Sequence, residues 1–238
     1  MGALLWVKSH HSFLHGASSP EELVDRAVAL GWEELAITDR HGIYGLVRAH
    51  VRAKQRREEG HPIRLVPGAE ITVRDSAEGP ARRLLLHPRG REGYGNLCRL
   101  LSLGHERPPK GEAWVTPAEV AARAFDLMAA TPDPELLEPL RDAFGARLHG
   151  VVHRHGRPID GDREAAMRAE ADRLGVPLLA APEVLYHERS RRALQDVVTC
   201  IAAGVSLHEA GTRLRPNDRH ALPSVASFQQ EQADAPAL

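Results

Sequence analysis

Several things are scarce in this sequence, and each scarcity excludes something. Only 2 of the 238 residues are cysteine, so no disulfide framework is expected and a reducing cytoplasm is the expected location. Aromatic residues make up 4%, too few for a platform that stacks single-stranded nucleic acid. Neither sign of charge prevails: 31 Lys and Arg face 32 Asp and Glu, for a formal net charge of -1. Nothing global therefore marks a nucleic-acid binder, although a local basic patch remains open. No apolar run approaches the roughly 20 residues of a membrane span, and the opening MGALLWVK lacks the basic and long apolar parts of a signal peptide. The Walker A pattern, the GxSxG elbow, GxGxxG, paired CxxC and HExxH are also absent.

What is present is an alternation of short apolar runs with amphipathic stretches, at 42% hydrophobic and 26% charged residues. Strands are expected at Ala3–Lys8, Glu34–Asp39, Ile63–Val73, Arg82–His87, Asp126–Thr131, Arg147–His153 and Pro177–Val184. Between them PEELVDRAVALG predicts a helix with Ser19 as N-cap and Gly31 as its stop, and TPAEVAARAF one capped by Thr116. Strands alternating with helices argue an α/β fold with a parallel sheet, closed or nearly closed into a barrel over residues 1–211. Residues 212–238, mixed polar with several prolines, predict a covering segment or linker. In such barrels chemistry gathers on the loops at strand C-termini. That rule selects Lys8, Asp39, Arg40, Glu70, His87, His153 to His155 and Glu183.

Four constellations carry potential chemistry. SHHSFLHGASS holds His10, His11 and His15, but adjacent histidines point apart in extended backbone, so a polar loop closing on a helix cap competes with metal ligation. Asp39-Arg40-His41 follows a strand and needs partners from other strand ends to bind metal. Glu70 lies inside the apolar run PGAEITV, where an unpaired carboxylate is costly, so it requires a metal or a basic side chain unless the strand is an exposed edge. His153 and His155 form an H-x-H pair expected to share one strand face. The basic run His50–Arg64 is either a phosphate contact or a solvated helix face.

SFLHGASSPEELVDRAVALGWEELAITDRHGIYGLV, PGAEITV, REGYGNLCRLLS and LQDVVTCIAAGVSLHEAGTRLRPN together resemble the PHP (polymerase and histidinol phosphatase) domain of bacterial C-family DNA polymerases, most closely the error-prone branch. The resemblance implies a distorted (β/α)7 barrel, in agreement with the strands counted above. It also implies a cluster of metal ions held by barrel-top His, Asp and Glu that hydrolyses phosphoesters, in some polymerases as a 3′–5′ exonuclease. Carried over position by position, the family's opening H-x-H falls on Trp6 and Lys8, and its T-D-H on Thr38-Asp39-Arg40. Its G-A-E is intact as Gly68-Ala69-Glu70; a later histidine falls on Arg83, another on His155, and the final D-x-H on Glu183 and Leu185. Fixed positive charge thus stands where imidazoles and metals would be, and Arg suits this because its fork pairs with carboxylates. The resemblance therefore implies a metal-free site at Lys8, Asp39, Arg40, Glu70, Arg83, His155 and Glu183, without cofactor, in a domain that scaffolds a polymerase body or contacts DNA or repair proteins. The alternative is a phosphoesterase or exonuclease holding Zn, Mn or Fe on Asp39, Glu70, His155 and Glu183. No membrane partner is expected.

Overall fold

The computed structural model describes residues 2–106 and 108–235. In chain order its elements are β1 (Ala3–Leu4), α1 (Pro20–Ala29), β2 (Glu34–Ile37), α2 (Leu46–Glu58), β3 (Arg64–Pro67), β4 (Ala69–Val73), β5 (Arg82–Pro88), α3 (Arg91–Glu106), α4 (Pro117–Ala121), β6 (Leu127–Thr131), α5 (Leu137–Phe144), β7 (Leu148–Val152), α6 (Asp160–Leu174), β8 (Leu178–Ala180), α7 (Arg192–Ala203) and α8 (Val225–Glu231). Arg107 of the Pro/Gly-rich loop and residues 236–238 of the expected covering segment lie outside the described residues. No described helix is long and apolar enough to cross a membrane.

The α/β alternation expected from the sequence is found, but the single closed barrel is not shown. The strands fall into a three-stranded sheet, β1-β2-β3, and a five-stranded sheet, β4-β5-β6-β7-β8. The expected strand Ile63–Val73 is divided at Gly68, with β3 pairing in the first sheet and β4 in the second. Nor is the pairing all parallel: β4–β5 and β5–β6 are antiparallel, whereas β1–β2, β6–β7 and β7–β8 are parallel. Residues 74–81 joining β4 to β5 are too few for the dozen or more that a parallel crossover requires, so these strands form a hairpin.

The chain divides into two compact units. Among the described residues the first comprises 2–66, Arg154–Pro158 and 182–235. Its core gathers Leu4, Val7, Leu23, Trp32, Leu35 and Ile37 around the short sheet. Helix α1 starts where the sequence says it should. Ser19 accepts from Glu22 N at 3.2 Å while the Glu22 carboxylate accepts from Ser19 N at 2.8 Å, a reciprocal capping box. Residues 222–228 of the segment after 211 pack onto this core. Trp32 Nε1 donates to Pro223 O at 2.7 Å, the Trp32 and Phe228 rings lie 5.6 Å apart, and Leu222 is buried.

The second unit comprises Pro67–His153 and Ile159–Ala181, with Leu238 outside the described residues. Strand β4 is buried along its whole length, and Leu84, Leu85 and Leu86 of β5 are fully buried. Helix α3 packs on β5, and α5 sends Leu137, Leu140 and Phe144 inward. Thr116 caps α4 with a second reciprocal box, and α6 stops at Gly175 in the left-handed conformation that glycine tolerates.

Candidate functional site

In the first unit three extended stretches lie side by side and deliver the candidate residues. Thr38 N donates to Val7 O at 2.8 Å, Lys8 N to Val184 O at 3.0 Å, and Val184 N to Trp6 O at 2.9 Å. This places the strand-end residues Lys8, Asp39 and Glu183 at the same end of neighbouring segments. Lys8 Nζ lies 2.7 Å from Glu183 Oε1, with side-chain exposures of 3% and 9%. The ammonium is also 5.5 Å from the centre of the Trp6 ring, itself fully buried. Glu183 Oε2 faces His220 Nδ1 at 3.6 Å and Arg215 Nη2 at 3.9 Å.

A pair of imidazoles closes this side of the site. His155 and His220 stack with ring centres 3.9 Å apart and planes 12° from parallel. His220 Nδ1 is 2.9 Å from the Glu183 carbonyl oxygen and His155 Nε2 is 3.3 Å from it. Burial, with smaller contributions from His155 and Arg215, pushes His220 down to about 2 against the opposing pull of Glu183. His220 is therefore neutral near pH 7, and the hydrogen bond requires the proton on Nδ1.

Asp39 is fully buried and is balanced by dipoles. Ser9 N and Ser12 Oγ donate to Oδ1 at 2.7 and 2.8 Å, Gly45 N donates to Oδ2 at 3.2 Å, and Ser9 Oγ lies 2.9 Å from both oxygens. These donors satisfy the lone pairs of a carboxylate without a formal cation. Ser12 Oγ in turn accepts from Arg40 N at 3.0 Å, so the two loops are stitched together. The Arg40 guanidinium lies 2.6 Å from His15 Nε2. Gly45 has no alternative here, because a Cβ at that position would stand 2.4 Å from Asp39 Oδ2.

Glu70 and Arg83 belong to the second unit. Glu70 is 2% exposed in β4, opposite Leu85, so the exposed-edge reading of PGAEITV is excluded. Arg83 is opposite Thr72; its backbone N donates to Asp133 Oδ2 at 2.5 Å and its Nε is 3.7 Å from the same oxygen. In this unit His87 is 3% exposed, its Nδ1 lies 3.2 Å from Pro67 O, and its Nε2 is buried without a hydrogen-bond partner among the described residues. Burial lowers its pKa to about 4. His153 belongs to the second unit and His155 to the first, and β7 stops at Val152, so the expected H-x-H on one strand face is not formed. His10 and His11 sit with ring centres 4.6 Å apart, and burial followed by the His11 charge lowers the pKa of His10.

The metal cluster implied by the family does not fit these residues. Trp6 offers no ligand atom for an ion, and Lys8 directs its ammonium at Glu183. Among the described residues no group of three or more His, Cys, Asp or Glu side chains is arranged to hold an ion. The basic run on α2 is neutralised in part: Arg52 pairs with Asp25 at 2.7 Å and Arg56 with Glu59 at 2.6 Å, while Lys54 and Arg57 are exposed. Sequence reasoning missed Ser9, Ser12, Arg215 and His220. The SHHS run carried a readable signal for the serines, while His220, in a segment taken as a cover, carried none.

A family model, the PHP domain, matches residues 5–156. The chain is 42% identical over 245 residues to an error-prone DNA polymerase from Anaeromyxobacter dehalogenans, a match spanning 98% of this chain and 21% of that protein. It is 36% identical over 258 residues to an error-prone DNA polymerase from Bordetella parapertussis, over 99% of this chain and 24% of the relative. The chain thus spans between a fifth and a quarter of the length of these relatives. Among solved structures, a protein from Bifidobacterium adolescentis described as a candidate metal-dependent phosphoesterase superposes with TM-score 0.51 at 16% identity, covering 75% of this chain and 85% of that one. An amidohydrolase from Chromobacterium violaceum superposes with TM-score 0.50 at 18% identity, covering 76% and 86%. At these identities the structural likeness speaks to the fold alone.

Proposed function

Because the chain belongs to the PHP domain family, we propose that it is a PHP domain whose metal site has been replaced by an internal ion pair, and that it serves by structure and association rather than by hydrolysis. Its partner in this reading is the polymerase body that accompanies the same domain in the error-prone relatives, with DNA and repair proteins as further contacts. Closure of the two sheets into the family's distorted barrel is part of the same reading. The observation that carries it is Lys8 Nζ on Glu183 at 2.7 Å, at two positions where the family resemblance calls for metal ligands. A buried ammonium cannot ligate, and it supplies the positive charge that an ion would otherwise bring to the carboxylate. Asp39, held by Ser9, Ser12 and Gly45, needs no ion either.

The test is hydrolysis of p-nitrophenyl phosphate and of labelled single-stranded DNA with added manganese, with and without chelator, together with metal analysis of the purified chain. No chelator-sensitive turnover and no stoichiometric metal are expected. Chelator-sensitive cleavage, or one Zn, Mn or Fe per chain, would establish the remodelled phosphoesterase or exonuclease on Asp39, Glu70, His155 and Glu183 instead.

A further inference from the structure

Within the first unit a cavity of about 590 Å³ is lined by four arginines, Arg26, Arg154, Arg189 and Arg219. Its volume lies inside the range typical of small-molecule sites, roughly 300 to 1,000 Å³. Lys8, Asp39 and Glu183 are not among its lining residues. Three of the arginines have acidic partners of unequal quality. Arg154 pairs with Asp234 at 2.6 Å and also donates to Glu231 O at 2.7 Å. Arg189 reaches Asp218, and Arg219 reaches Glu231, only at 3.8 Å, beyond hydrogen-bond length. Arg26 has no ion pair among the described residues, and its Nε is buried without a hydrogen-bond partner.

Arg26 is half-buried, and its charge acts on Glu188 of the same lining without forming an ion pair. Leu30, Leu222 and Pro223 give the same cavity an apolar wall. We propose that this cavity binds a small di- or triphosphate ligand of nucleotide size, with Arg26 taking the phosphate and the apolar wall taking the ring. Guanidinium matches phosphate with two parallel hydrogen bonds. Glu188, Asp218 and Glu231 also line the cavity and repel any anion, so the four guanidinium groups exceed the lining carboxylates by one charge. A polyphosphate gains by reaching several of them at once, Arg26 together with Arg189 and Arg219, whose own carboxylates stand off at 3.8 Å.

The test is calorimetric titration of the full chain with pyrophosphate and with ADP, and amide chemical-shift mapping with ADP. Saturable one-to-one binding is expected, tighter for ADP than for pyrophosphate and weakening as salt is raised. Arg26→Gln should weaken ADP by at least about tenfold, the loss of a charge-assisted pair. Arg57→Ala, at an exposed position outside the cavity, should leave it unchanged. Shifted amides should cluster at residues 188–190 and 218–227. The shift map needs only the unaltered chain, so it decides the matter even if Arg26→Gln fails to fold. No saturable binding of either probe, equal affinity for the two, affinity indifferent to Arg26→Gln in a folded variant, or shifts centred elsewhere would each overturn the proposal.

Discussion

Replacing Lys8 by Met removes one half of a buried ion pair and keeps most of the side-chain volume. At 2.7 Å the Lys8–Glu183 attraction is about 6 kcal/mol at an effective dielectric of about 20. Most of that is offset by the cost of taking both charges out of water, so the pair itself adds little to stability. What the substitution exposes is the stranded carboxylate, and breaking such a pair typically costs about 3–5 kcal/mol. Arg215 at 3.9 Å and neutral His220 at 3.6 Å relieve Glu183 only in part, which favours the lower half of that range. For a chain of this length the loss corresponds to a fall in Tm of roughly 6–16 °C. The double variant Lys8→Met/Glu183→Leu removes the stranded charge and should recover most of the loss, because an apolar replacement of both partners is often neutral or better. Guanidinium denaturation of wild type, both single variants and the double variant closes the cycle. The reasoning is refuted if Lys8→Met unfolds within about 0.5 kcal/mol of wild type, or if the double variant loses the sum of the two single losses.

Three further perturbations follow from the same geometry. Arg40→His alone should restore no manganese-dependent hydrolysis, because Trp6 and Lys8 still occupy ligand positions; turnover of p-nitrophenyl phosphate in that single variant would contradict the proposed loss of the site. Asp39→Asn presents an amide donor to Ser9, Ser12 and Gly45, which all donate; a loss of about 2–4 kcal/mol in chemical denaturation is expected, and an unchanged midpoint would show that these bonds contribute nothing. His87, with a folded pKa of about 4, and His220, with one of about 2, lie below the ordinary histidine value near 6.5. The unfolded chain then binds more protons, so their stabilisation is complete above about pH 6.5. It should fall by about 1.4 kcal/mol per pH unit for each histidine as the pH drops below that, levelling near pH 4 for His87 and near pH 2 for His220. Denaturation midpoints of wild type and His87→Gln between pH 7 and 4.5 test it; equal slopes would remove His87 from the account.

What the sequence made legible was local. Ser19 and Glu22 declare the start of α1 within four residues, and Gly31 declares its stop, because capping and left-handed backbone are short-range physics. The apolar run around Glu70 raised burial against an exposed edge without deciding between them, and the structure decides for burial. The hairpin between β4 and β5 was readable in principle from the shortness of 74–81, but an apolar run does not state the direction of its partner. The partners of the carboxylates were beyond reach for a different reason. Ser9 and Ser12 lie 30 and 27 residues from Asp39, and His220 lies 37 from Glu183. Only packing brings them together. Substitution by Lys and Arg makes Lys8 and Arg40 the expected partners of Asp39 and Glu70. Instead Asp39 is held by hydroxyl and amide dipoles, and Lys8 meets Glu183. That difference bears on how the site is related to a metal centre. Removing Lys8 would take away one partner of Glu183, yet Asp39 would still have its lone pairs engaged by Ser9, Ser12 and Gly45. An ion entering here would have to displace those donors as well as the ammonium, so a return to metal binding requires changes on two loops together.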